Sequence, residues 1–166
     1  MTRGYRRFAW TREDHTLREW FAGECTARGL AVVVDRAGNQ WGWWGNPDQT
    51  PGVVIGSHLD SVADGGAFDG PLGVASAFAA LDVLRATGFA PRQPIGIANF
   101  ADEEGARFGI ACAGSRLLTG ALDPRRAAAL RDADRVPMGD AWRESGLDPD
   151  TMEDKTNFFK QKTAYE

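Results

Sequence analysis

Lysine is missing from the first 154 residues. All three lysines of the 166-residue chain, Lys155, Lys160 and Lys162, fall in the last 12 positions. Residues 1–154 carry 16 arginines against 22 acids, a net −6, while the segment KTNFFKQKTAYE carries three lysines against one acid, a net +2. So abrupt a change in cation usage points to a different origin for the tail, which reads as a translated adapter read-through or a change of frame. A native basic terminus is the alternative. The expected division is a folding unit over 1–154 and a non-native tail over 155–166.

Other shortages narrow the classes further. Two cysteines, Cys25 and Cys112, are too few for a disulfide framework and suit a reducing compartment. There is no apolar run of 18 residues, and the opening MTRGYRRFAW has no apolar segment of signal-peptide type, so no membrane span is expected and the expected location is cytoplasmic. The arginines are scattered and the net charge is −4, which gives no basic groove for nucleic acid. With 43% hydrophobic and 25% charged residues the chain is globular, and a domain of this size can bury about 70% of its unfolded surface without a disulfide or structural metal.

The local pattern begins with a helix over 11–28. Thr11 is a candidate N-cap and Asp14 stands at the capping-box position, while Leu17, Trp20, Phe21 and Cys25 recur at helical spacing up to Gly29. Strand-like runs follow at Ala31–Asp35 and Gln40–Gly45 around the turn Arg36-Ala37-Gly38-Asn39. Trp41, Trp43 and Trp44 could form an aromatic platform, although packing is the commoner role of strand aromatics. Val53–Ser57 and Ile95–Phe100 read as buried strands, and Leu72–Arg85, apolar nearly all round, as a buried helix between them. Strand, helix, strand predicts a right-handed βαβ crossover, with both strands ending on one sheet edge where ligands of α/β sheets bind. Short helices are expected near 113–119, 124–132 and 138–145.

That edge collects the chemistry-bearing residues. His58, one of two histidines, follows the first strand, and Asp60 two residues on is a candidate partner for its second ring nitrogen. A Ser57 nucleophile is disfavoured, since the G-x-S-x-G elbow and a second histidine placed as base are both missing. Asp69 precedes the helix. Either it or Gly70 can be the N-cap ahead of Pro71, and a carboxylate there also points toward His58. Glu103 and Glu104 follow the second strand, where adjacent side chains diverge, so that one can ligate a metal while the other faces bound water.

The segments VIGSHLDSV (54–62), GGAFDGPLGV (65–74), FADEEGARFG (100–109) and GSRLLTGAL (114–122) together resemble the N-terminal half of the catalytic domain of M20-type metal-dependent amidohydrolases. The branch they look most like holds the allantoate amidohydrolases, N-carbamoyl-L-amino-acid hydrolases and β-ureidopropionases. GYRRFAWT and DRAGNQWG are similar to it as well, so the likeness spans residues 4–154. Ala106 departs from it, standing where many relatives have Ser.

The resemblance implies an α/β fold: a mixed, largely parallel sheet flanked by helices, the N-terminal part of a zinc-aminopeptidase-like catalytic domain over 1–154. It implies two divalent metal ions, Zn²⁺ or Mn²⁺ with Co²⁺ or Ni²⁺ also suited to such ligands. His58 would be a terminal ligand of one metal, Asp69 the bridge, and Glu104 a terminal ligand of the other. Glu103 would be the general base and Asp60 the partner of His58. The implied reaction is C–N hydrolysis of linear ureido or carbamoyl compounds, by a homodimer when full length. Each metal would take one more histidine from beyond residue 166, which leaves the isolated chain inactive. An aminoacylase- or peptidase-type relative, or a non-catalytic remnant, is the alternative.

Overall fold

The computed structural model describes residues 4–153, so the expected tail lies outside the described residues. In chain order these form α1 (Arg12–Ala27), β1 (Ala31–Val34), β2 (Gln40–Trp44), β3 (Val53–His58), α2 (Pro71–Ala86), β4 (Ile95–Phe100), α3 (Ala113–Leu118), α4 (Pro124–Ala128), α5 (Met138–Glu144) and a closing 3₁₀ turn (Pro149–Glu153). The strands form one mixed sheet in the order β1-β2-β4-β3. β1 pairs with β2, and β2 with β4, antiparallel; β3 and β4 pair in parallel from Val53↔Ile95 to His58↔Phe100. The fold is therefore the expected α/β class with helices flanking a mixed sheet, and its parallel part is the predicted crossover, but the sheet is not largely parallel among the described residues, because the β1–β2 hairpin joins β4 antiparallel.

Side chains alternate across the sheet and divide the core. On one face Ile97 packs with Phe21 and Cys25 of α1 and Val74, Phe78 and Leu81 of α2. On the other, Trp41 and Trp43 stack with ring centroids 6.3 Å apart, beside Ala98. A third cluster joins Trp10, Ala37, Ala101 and Phe108 to Leu117, Ala127, Met138 and Trp142, so the small C-terminal helices share one core with the chain just past β4.

Several expectations change. β3 is an edge strand rather than a buried one, with Val53 55% exposed and Val54 and Ile55 each 40%. The apolar run reports what the strand can bury, while β4 is its one sheet neighbour among the described residues. α2 is likewise buried on a single face, through Val74, Ala77, Phe78 and Leu81, and Leu72 and Val83 stand in the open. The helix expected to run to 132 ends at Ala128, because the Leu130 carbonyl turns to accept the Met138 N–H at 2.8 Å and Arg131 bridges to Pro137. Thr11 is the N-cap residue of α1 but makes no side-chain cap bond. Asp14 instead reaches one residue further back, its Oδ2 accepting the Trp10 N–H at 2.9 Å.

Candidate metal centre

His58 is the last residue of β3, and the parallel register sets it beside Phe100 at the end of β4. The chain beyond each strand therefore leaves the same sheet edge, carrying Asp60 and Asp69 on one side and Glu103 and Glu104 on the other. The His58 ring is buried, with Nδ1 3.2 Å from the Asp60 carbonyl and 3.4 Å from Asp60 Oδ1. A proton on Nδ1 satisfies both and leaves the Nε2 lone pair toward the acids, 3.7 Å from Asp69 Oδ1 and 3.4 Å from Glu103 Oε2.

One ligand atom each from His58, Asp69 and Glu104 lie within 4.8 Å of one another. A borderline nitrogen donor with two carboxylates suits a divalent transition metal or zinc, so these residues fit the ions that the sequence implied. Glu103 is not in that trio and faces His58 from the side. Asp60 is buried, 3% exposed, and has a second task that its spacing did not reveal. Its Oδ1 accepts the Glu103 N–H at 3.2 Å and its Oδ2 the Glu104 N–H at 3.0 Å.

The N-cap ambiguity resolves in favour of Gly70, with Pro71 at the first helical position. Gly70 has φ +84°, and a Cβ there would lie 2.5 Å from the His58 carbonyl oxygen and 2.7 Å from the ring atoms Cε1 and Nδ1. Only glycine lets Asp69 come this close to the imidazole. Asp69 makes no cap bond, and its side chain is 68% exposed.

The charges crowd one another. Burial pushes Glu104 up from the ordinary carboxylate range, and Asp69 and Glu103 add to the rise against the opposing pull of His58. Burial works against the His58 cation, but Asp60 and Glu103 outweigh it and the net shift is upward. Asp102 is pushed to about 8 by burial and by the nearby Asp60 and Asp14; neither of its carboxylate oxygens has a hydrogen-bond partner among the described residues. A cation among such groups relieves their repulsion.

Three neighbours escaped the sequence reading. The Cys112 thiol lies 3.4 Å from Glu103 Oε1, on a residue held at φ +59°, and nothing in the local pattern marks it. Asp102 looked like one more acid in a run. Arg7 reaches the loop that holds Asp69, and only its place in GYRRFAWT could have drawn notice. The tryptophans lie elsewhere: Trp41 and Trp43 are buried in packing and border an apolar cavity of about 480 Å³ with Val54, Phe100 and Leu118, and none of the candidate metal residues lines it.

Fold and edge together fit the M28/M20-like family. The chain belongs to peptidase family M28, whose family model matches residues 41–136. It is 40% identical over 151 residues to the N-carbamoyl-L-amino acid amidohydrolase of Geobacillus stearothermophilus, covering 90% of this chain and 36% of that protein. It is 35% identical to the ureidoglycolate hydrolase of Arabidopsis thaliana (96% and 34% covered) and 34% identical to the allantoate amidohydrolase of Bacillus subtilis (87% and 35%). Among solved structures, a hydantoinase/carbamoylase family amidase from Burkholderia ambifaria superposes with a TM-score of 0.81 at 39% identity, over 87% of this chain and 36% of that one. The chain thus spans about a third of the length of the curated relatives it matches, and the amidohydrolase branch that its motifs resemble is the one those names give.

Proposed function

We propose that residues 1–154 are part of the catalytic domain of a metal-dependent hydrolase of C–N bonds in linear ureido or carbamoyl compounds. The observation that carries it is the convergence of His58, Asp69 and Glu104 on one point at the sheet edge. The names of the relatives support the substrate class. Two divalent ions bound there would polarise the substrate carbonyl and acidify a water.

The chain's own residues have separable tasks. His58, Asp69 and Glu104 would hold the metal, and the family resemblance gives Asp69 the shared position between two ions. Glu103, beside but outside that trio, takes the proton of the attacking water on its carboxylate and returns it to the leaving nitrogen, a role typically worth about 10²–10⁴-fold in rate. Asp60 fixes the imidazole through Nδ1 and holds the turn bearing both glutamates. The activity belongs to a longer, dimeric protein in a reducing compartment, and further ligands come from outside these 166 residues.

The test is a zinc titration of the chain by calorimetry, followed by an ammonia-release assay on allantoate and N-carbamoyl amino acids at saturating metal. Weak binding without turnover is expected. Sub-micromolar binding of two ions with turnover would show that the site is complete as it stands. The match to a peptidase family favours one second reading, a peptide or N-acyl amino-acid substrate. In a full-length protein with these motifs, cleavage of dipeptides in preference to N-carbamoyl amino acids would establish it.

A further inference from the structure

The segment before α1 grips the loop that joins β3 to α2. Tyr5 and Gly65 exchange both backbone hydrogen bonds at 2.9 Å. Two positions on, the Arg7 N–H donates to Ser61 Oγ at 2.9 Å and the Arg7 carbonyl accepts the Ser61 N–H at 3.0 Å. A Cβ on Gly4 would overlap the Asp64 backbone, so the two stretches touch without room for a side chain. The far end of the segment is tied down from the other strand's loop, since Arg107 Nη1 donates to the Ala9 and Trp10 carbonyls, each at 2.9 Å.

The Arg7 side chain then enters the loop. It is 7% exposed; its Nε donates to the Leu59 carbonyl at 2.8 Å, and its Nη2 to the Gly66 and Asp69 carbonyls at 3.3 and 3.4 Å. Leu59 sits between His58 and Asp60, and Asp69 is at the other end of the loop. One rigid, planar group thus ties the start of the loop to its finish, across the nine intervening residues, which lie in no helix or named strand. Asp69 is exposed and makes no cap bond with its side chain, so its place beside His58 depends on where the backbone puts it.

We infer that Arg7 is a positioning residue for the candidate metal centre, holding Asp69 opposite His58 through the loop backbone. The inference rests on the metal-site reading above. A lysine cannot replace the fork, because its three donors radiate from one atom and cannot span carbonyls at 59, 66 and 69.

The experiment uses the 166-residue chain, its Arg7→Ala and Arg7→Lys variants, and Arg28→Ala, which breaks the ion pairs of Arg28 with Glu24 of α1 and Asp82 of α2 away from the site. Melting temperatures confirm that each is folded at the assay temperature. Co²⁺ titration followed by visible absorption reads the site. Both Arg7 variants should bind Co²⁺ at least tenfold more weakly with an altered spectrum, while Arg28→Ala keeps wild-type affinity and spectrum. A metal-free readout is the His58 ring proton resonance, assigned against His15 with His15→Gln; it should shift in Arg7→Ala while that of His15 stays put.

Unchanged cobalt binding in folded Arg7→Ala overturns the inference and leaves the metal reading intact. If the wild type binds no Co²⁺, or binds it equally after Asp69→Asn, the metal reading fails. The His58 resonance then decides for the loop: a shift in Arg7→Ala supports its positioning by Arg7, and no shift overturns it.

Discussion

Asp60 holds Glu104 from across the sheet edge: the carboxylate that follows β3 accepts the backbone N–H that follows β4, at 3.0 Å. Its other oxygen takes the neighbouring N–H at 3.2 Å, and the same side chain faces His58 Nδ1. A single buried carboxylate therefore fixes the spacing between the two halves of the site. Asp60→Ala leaves three donors without this acceptor and should cost about 1–3 kcal/mol in urea unfolding. It should also weaken zinc binding about 10–100-fold, and Asp60→Asn, which keeps one acceptor oxygen, should do less harm. Equal stability and equal zinc affinity in Asp60→Ala would remove Asp60 from the site.

The adjacent glutamates should separate by metal content. Glu104→Gln should lower zinc affinity, since Glu104 supplies one of the three clustered donor atoms. Glu103→Gln should leave affinity within twofold and, in a full-length protein with these motifs, abolish most turnover. Loss of metal from Glu103→Gln but not from Glu104→Gln would reverse the two roles.

Gly70→Ala tests the close approach between the helix start and His58. The added Cβ would overlap the ring and carbonyl of His58, and φ +84° is costly for alanine. A loss of about 1–3 kcal/mol is expected, together with weaker zinc binding, because relief of the overlap moves either His58 or Asp69. A variant with wild-type melting and wild-type affinity would contradict the geometry.

The pH dependence of stability should carry the mark of Asp35, which lies outside the clustered metal residues. Burial pushes its carboxyl up to about 6, against the pull of bonds from Asn39 and Trp41. The native state thus keeps a proton that the unfolded chain releases near 3.8. This group's contribution is complete below about pH 3.8, shrinks as pH rises toward 6, and is flat above; the rise from 3.8 to about 6 corresponds to about 3 kcal/mol. Asp35→Asn should be less stable at pH 4, because its amide meets the Asn39 and Trp41 donors, and should lose this component of the slope between pH 4 and 6. Urea melts across that interval decide it, and an unaltered slope would assign the dependence to other groups.

Deletion of residues 155–166, the segment that holds every lysine, should leave the melting temperature of the chain within error. A clear loss would mean that Phe158 and Phe159 pack on the domain and that its boundary lies past residue 154.

The crossover was readable because each of its parts has a local signal. Apolar runs mark β3 and β4, Pro71 opens α2, and His58, Glu103 and Glu104 sit at or just past the strand ends, so their sharing an edge follows from parallel pairing, with Asp69 brought to it by the start of α2. Contacts between residues far apart in the chain were not readable. Asp60 meets Glu103 and Glu104 more than forty positions on, Arg7 meets Asp69 sixty-two positions on, and neither leaves a periodicity or a composition bias. Burial was overstated for β3 and α2 for a related reason: hydrophobic character shows what a face could cover, and the neighbours that cover it are set by topology. Asp14 shows the limit at short range, since its spacing pointed to the helix start and its bond goes one residue beyond it.

The parallel pairing of β3 with β4 also dictates when the site can exist during folding. An antiparallel hairpin such as β1–β2 closes a loop of a few residues and can form early, whereas the β3–β4 register waits for the whole crossover, α2 included, to be laid down and docked. His58 and Glu104 stand on opposite sides of that late closure. The full set of three donors is therefore complete only after that closure, although His58 and Asp69 share one side of it, and tight metal uptake should lag behind secondary structure in a stopped-flow refolding trace.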